Sequence, residues 1–246
     1  MRRHLGKIKR SAIAGFYILR RIGTKRVLLY TDSRGDNIPT HTEYPHYGAL
    51  LAQRYHVRSY LCPEKWTTTL DFLALLPQMN PIDYDVVILH TGVVDASPRH
   101  QKIARDTIYP SKKAIYDVVF GADTMKKHLQ SDLSCEYESD KTINMYSLDM
   151  AEVCLLPRLL QIPNLLWISG NRIVPGWRGE YWKDRPANIA LVEKYFELFL
   201  QKLPHTVDLM RWSYQEVQAR TFENIHLNRA GSDWVYNRVV EWLRKN

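Results

Sequence analysis

Apolar and polar positions alternate along this chain in two rhythms. Short apolar stretches at Val27–Tyr30, Val57–Leu61, Asp85–His90 and Leu165–Ser169 read as β-strands, with a brief fifth at Val207–Leu209. Asp85–His90 is a continuous apolar run, as in the centre of a parallel sheet. Between them lie stretches of helical character. Tyr47–Tyr55 turns Leu50 and Leu51 inward, and Thr67–Leu76 opens on threonines that suit a helix N-terminus. Met145–Gln161, Pro186–Lys202 and Arg229–Arg244 follow. Residues 100–145 are polar, mixed and poorly periodic, and read as an insertion with one helix near 111–129. Strands alternating with helices predict a three-layer α/β/α architecture around a central parallel sheet. No internal repeat or linker divides the chain, so one domain is expected over 26–246, preceded by an arm over 1–25.

The first strand stops abruptly at Thr31-Asp32-Ser33-Arg34-Gly35. Open α/β sheets bind ligands at the C-terminal ends of their strands, so Ser33 stands where a reactive group is useful. A cap for a following turn is the plainer use of such residues. Near the other end stands Glu223-Asn224-Ile225-His226. A carboxylate three residues before a histidine can fix the imidazole tautomer and support its charged form. A surface carboxylate beside a structural histidine is the alternative. The other histidines have no carboxylate at that offset combined with such a loop position.

An early strand-end Ser33 with a late Glu223/His226 block resembles the SGNH (GDSL-type) hydrolases, over Val27 to the C-terminus. The resemblance implies an SGNH-hydrolase-like, flavodoxin-like fold. It also implies Ser33 as nucleophile, His226 as base then acid, and Glu223 as the supporting acid where the family has aspartate. The α/β-hydrolase arrangement fits less well, because its nucleophile lies mid-chain. The family's oxyanion blocks are only partly matched. Gly92-Val93-Val94-Asp95 keeps the glycine but has Val94 in place of asparagine, and no glycine follows strand two. Gly92, Thr67 and Asn171 are therefore the candidate oxyanion groups. Arg34 and Arg99, in presumed strand-end loops, are candidates for an anionic substrate. Trp177, Arg178, Tyr181, Trp182 and Lys183 form an aromatic and basic loop suited to stacking on sugar rings, or to a lid or the core.

The net charge of +8 refines the picture only at one end. Residues 1–26 hold nine Lys/Arg and no acid, and the rest is near neutral, with 25 basic and 26 acidic residues. Ile8, Ala12, Phe16, Leu19 and Ile22 recur at helical spacing within that arm. This is the pattern of a basic amphipathic helix, suited either to an anionic membrane surface or to packing on the domain. Its apolar run is too short to span a bilayer and ends in Arg20-Arg21, not at a small-residue cleavage site. Nothing else suggests nucleic-acid binding. Three unevenly spaced cysteines suit a reducing compartment. No metal or nucleotide motif is present, so no cofactor is expected. The resemblance implies carbohydrate-ester or lipid-ester substrates. The composition, the arm and the aromatic loop favour acyl groups on a bacterial surface polysaccharide or its precursor, handled by a cytoplasmic protein, peripheral on the inner face of the membrane. The competing expectation is a catalytically weak module of the same fold that binds glycan or a partner.

Overall fold

The computed structural model describes residues 24–36, 44–181 and 184–246. The expected amphipathic helix in the arm lies outside the described residues, as do Trp182 and Lys183. Five strands form one parallel sheet: β1 (Arg26–Thr31), β2 (His56–Leu61), β3 (Val86–His90), β7 (Leu165–Ile168) and β8 (Thr206–Val207). Their spatial order is β2-β1-β3-β7-β8. This is the 2-1-3-4-5 order of flavodoxin-like sheets, which leaves a crevice where the order reverses beside β1.

Strand side chains alternate between two cores. Val27, Leu29, Val86, Ile88, Leu166 and Ile168 pack with helices Tyr47–Arg54 and Arg229–Lys245 on one face. Leu28, Tyr30, Val87, Leu89, Leu165 and Trp167 pack with helices Thr69–Leu75, Tyr109–Phe120 and Val192–Lys202 on the other. Period-two alternation sends neighbouring residues to opposite faces, which explains why the central strands are apolar throughout. All five strands of the expected sheet are present, although the last is only Thr206–Val207.

The segment read as an insertion departs from its expected form. The single helix near 111–129 is two helices, Tyr109–Phe120 and Ala122–Gln130, separated at Gly121. Three further strands, β4 (Arg99–His100), β5 (Glu136–Tyr137) and β6 (Asp140–Ile143), make a small antiparallel sheet in the order β4-β6-β5. Ala104, Ile108, Tyr116, Phe120, Met125 and Ile143 join the main core, so the segment is structural as well as polar. Helix Tyr214–Arg220 also has no counterpart in the expected elements; a capping box of Ser213 and Glu216 starts it.

Candidate active site

Ser33 begins a short 3-10 turn, Ser33–Gly35, directly after β1. Two features build the turn. Asp32 donates its N–H to the His90 carbonyl at 2.9 Å, tying the chain to the end of β3. The Asp32 carboxylate then accepts from the Arg34 N–H at 3.0 Å and from the Arg34 guanidinium, Nη2 at 2.9 Å. Gly35 lies so close to Thr31 that a Cβ would come within 2.2 Å of that side chain. A larger residue there would push the turn, and Ser33 with it, off the sheet.

The second half of the site is a closed loop before the last helix. A bridge between Thr221 and Leu227 shuts it, and the Phe222 N–H donates to the His226 carbonyl at 2.9 Å. Asn224 anchors the loop to the segment after β7. Its side chain accepts from the Val174 N–H at 2.6 Å and donates to the Trp177 carbonyl at 2.6 Å. Asn228 caps the following helix by accepting from the Gly231 N–H.

These two pieces meet. Ser33 Oγ lies 2.9 Å from His226 Nε2. His226 Nδ1 contacts Glu223 Oε1 directly. An ionised carboxylate only accepts, so Nδ1 carries the proton and donates it, which leaves Nε2 to accept from the serine hydroxyl. Glu223 is 3 % exposed. Its longer side chain folds back onto its own turn: Oε1 also accepts from the His226 N–H at 3.1 Å, and Oε2 from the Ile225 N–H at 3.0 Å. Burial pushes the Glu223 carboxyl up, but its bonds to His226 and the nearby Arg185 outweigh this and hold it below the ordinary glutamate value. The group is therefore a carboxylate at neutral pH, as a triad's acid must be.

Ser33 and His226 open onto a cavity of about 260 Å³, also lined by Trp66, Val94, Arg99, Tyr137, Tyr181 and Arg185. Gly92 follows β3 with φ of +114°, a conformation that favours glycine, and leads into the short helix Val93–Ala96. Val94 lines the cavity where an asparagine donor was expected. The Ser33 N–H makes no hydrogen bond among the described residues.

Four candidates, Gly92 among them, do not line this cavity. The Thr67 hydroxyl donates to the Glu64 carbonyl at 2.6 Å within its own loop. The Asn171 amide donates to the carbonyls of Arg172 and Asn224, both at 2.8 Å, and so braces the site loop. Arg34 is buried against Asp32 and over the Phe196 ring. Of the aromatic loop, Tyr181 reaches the cavity, whereas Trp177 packs on the core. Arg185, Trp66 and Tyr137 were not singled out from sequence. Arg185 donates to Glu223 Oε2 and stacks on the Tyr181 ring, 4.1 Å from its centroid. Only its place next to the aromatic loop hinted at a role.

No family model and no curated protein matches this chain. Solved structures do. A lipase/acylhydrolase from Enterococcus faecalis superposes with a TM-score of 0.53 at 14 % identity, covering 90 % of this chain and 96 % of that one. The fold is SGNH-hydrolase-like. A protein from Lactobacillus plantarum is similar in the same way, with a TM-score of 0.51, 17 % identity and coverage of 91 % and 98 %. Within this SGNH-like frame, Ser33 and the Glu223–His226 loop occupy the C-terminal side of the sheet, where open α/β folds hold their ligands. Among the described residues no His/Cys/Asp/Glu group could hold a metal, and no helix is long and apolar enough to cross a membrane.

Proposed function

We propose that the protein is a serine-dependent ester hydrolase or acyltransferase that works through an acyl-Ser33 intermediate on acyl esters of a carbohydrate. The observation that carries this reading is the continuous contact from Ser33 Oγ through His226 to Glu223. Ser33 Oγ attacks the ester carbonyl carbon while His226 Nε2 takes its proton. The tetrahedral oxyanion is met by the Ser33 N–H. The C–O bond to the alcohol then breaks, and the imidazolium returns the proton to the leaving oxygen. Water, or a sugar hydroxyl, attacks the acyl-serine by the reverse route, with His226 again as base.

The cavity supports a small substrate. Its volume of about 260 Å³ falls below the usual range for drug-sized ligands, roughly 300–1,000 Å³. That favours a short acyl group over a long lipid chain. Trp66, Tyr137 and Tyr181 line the cavity, an aromatic composition that suits a sugar. The setting we propose is a bacterial surface polysaccharide or its precursor, with residues 1–25 meeting an anionic membrane.

One observation favours a silent binding module of the same fold: Val94 gives no donor where the oxyanion forms. The two readings separate in one assay. Release of acetate from acetylated sugars, with Ser33→Ala as control, is expected for the intact chain and not for the variant. Glycan binding without turnover would support the silent module. Faster release from long-chain lipid esters would contradict the carbohydrate reading.

A further inference from the structure

Ser33 stands between two charges that are kept from water. Asp32 is fully buried and Arg34 is 2 % exposed, whereas Ser33 between them lines the cavity. The two charges close on each other as a fork. Arg34 Nε donates to Asp32 Oδ1 at 3.0 Å and Nη2 donates to Oδ2 at 2.9 Å. Oδ1 also accepts from the Arg34 N–H at 3.0 Å. A bidentate pair fixes angle as well as distance. Joined across one intervening residue, it holds both flanking side chains inward and turns Ser33 outward.

The fork has a firm seat. Its guanidinium lies 5.7 Å from the centroid of the Phe196 ring. That ring also presses on Gly170, two residues beyond β7, where a Cβ would come within 2.1 Å of it. A Cβ on Gly92, two residues beyond β3, would stand 4.0 Å from the same ring. The segments after β1, β3 and β7 thus converge on one side chain of helix Val192–Lys202. The Asp32 N–H, bonded to the His90 carbonyl, adds a further restraint on the Ser33 turn.

Stability does not account for the pair. Two buried charges lose their hydration, and an apolar pair of similar volume commonly folds as well or better. Nor does a ligand account for it, because neither residue lines the Ser33 cavity. What an apolar pair would lack is the fixed angle of the fork. We propose that the Asp32–Arg34 ion pair is a positioning device that aims Ser33 at His226 and at the ester carbonyl. This rests on the serine-ester reading of the site. It gives Arg34, a sequence candidate for binding an anionic substrate, a different task. Misplacement by about 1 Å can cost on the order of a hundredfold in rate, so a turn that loosens without unfolding loses turnover.

The test removes the pair as a unit. Arg34→Met alone leaves a buried carboxylate without its partner and is expected to lower the melting temperature. Combining it with Asp32→Asn removes that charge, keeps an acceptor for the turn, and is expected to bring the melting temperature back. In the double variant kcat on a short-chain ester is expected to stay about tenfold to a hundredfold low, with KM little changed. Fluorophosphonate labelling of Ser33 should slow by the same factor. Recovery of kcat together with stability would show a merely structural pair and overturns the proposal. Arg34→Lys keeps the charge without the fork and serves where the double variant does not fold; unaltered kcat in that variant overturns the proposal as well. A crystal structure of the folded variant gives a readout that needs no turnover. The separation of Ser33 Oγ from His226 Nε2 should grow from 2.9 Å to beyond about 3.5 Å. An unmoved Ser33 overturns the positioning role. A displaced Ser33, in a protein whose unaltered form neither hydrolyses esters nor reacts with the fluorophosphonate, supports the role and defeats only the enzymatic reading.

Discussion

Arg185 and His226 share one carboxylate: the guanidinium donates to Oε2 of Glu223 and the imidazole to Oε1. The two partners come from different loops, and Arg185 is held over Tyr181 with its side chain 17 % exposed. The ion pair fixes both the charge and the rotation of the acid on which His226 depends.

Removing that cation should act on the pH profile as well as the rate. Glu223 is held below its ordinary pKa, so its ion-pair stabilisation is present above the usual glutamate range and lost as pH falls through the folded value. The charged groups that bear on it are His226 from its own turn and Arg185 from the facing loop. Arg185→Met is expected to move the acid limb of kcat/KM to higher pH and to cut the rate by about tenfold to a hundredfold through misplacement. Arg185→Lys should restore part of both. A uniform loss of rate with an unmoved acid limb would mean that Arg185 only braces the loop.

Val94 borders the same cavity as Ser33 and His226. Val94→Asn is therefore expected to raise ester turnover by about tenfold, less than a full oxyanion donor contributes, because the new amide is not pre-aligned. Steady-state kinetics on one short-chain ester check this. Unchanged kcat with lowered thermal stability would show that the added amide does not reach the oxyanion.

Asn224 links the site loop to the segment after β7 through three side-chain hydrogen bonds, to Val174 N–H, Val174 carbonyl and Trp177 carbonyl. Asn224→Ala leaves buried backbone groups unmatched and is expected to cost about 3 kcal/mol of unfolding free energy. Activity should fall as well, because Glu223 and Ile225 flank it. Denaturant titration with a matched rate assay decides. A loss well under 1 kcal/mol would mean that water or neighbours replace these bonds.

Asp95 is fully buried, and burial pushes its carboxyl up to about 7 despite donation from Thr69. The native state then binds a proton at higher pH than the unfolded chain. Its contribution to stability is greatest below the ordinary aspartate pKa and is lost as pH rises through about 7. Asp95→Asn should flatten the fall in stability between about pH 4 and pH 7, measured by denaturant unfolding across that range. A slope equal to that of the unaltered protein would assign the dependence to another group.

What could be read from the sequence was local. The strand-end Ser33 and the Glu223/His226 spacing are contained in short motifs, and short apolar runs and the helical period placed the five sheet strands and the last helix within a few residues. Helix Tyr214–Arg220 was signalled by Ser213 and Glu216 as a capping box, but its seven residues are too few for a clear apolar period. The segment over 100–145 was harder. A π-helical turn at Ala104–Ile108 and the break at Gly121 shift its buried face twice, so its apolar residues show no single period. Arg185 could not be chosen over the neighbouring cations, because its partner lies 38 residues away and only the tertiary fold brings them together. The same holds for Thr67 and Asn171. Their residue types suited an oxyanion hole, and only the structure shows their donors bound to backbone carbonyls.

The central claim, a nucleophilic Ser33 activated by His226, is tested most directly by reaction with a fluorophosphonate, read by intact mass and peptide mapping. One adduct is expected, on the peptide holding Ser33. It should be absent in Ser33→Ala and slowed by about a thousandfold or more in His226→Ala. An adduct elsewhere in the chain, or labelling that persists in Ser33→Ala, would contradict the account.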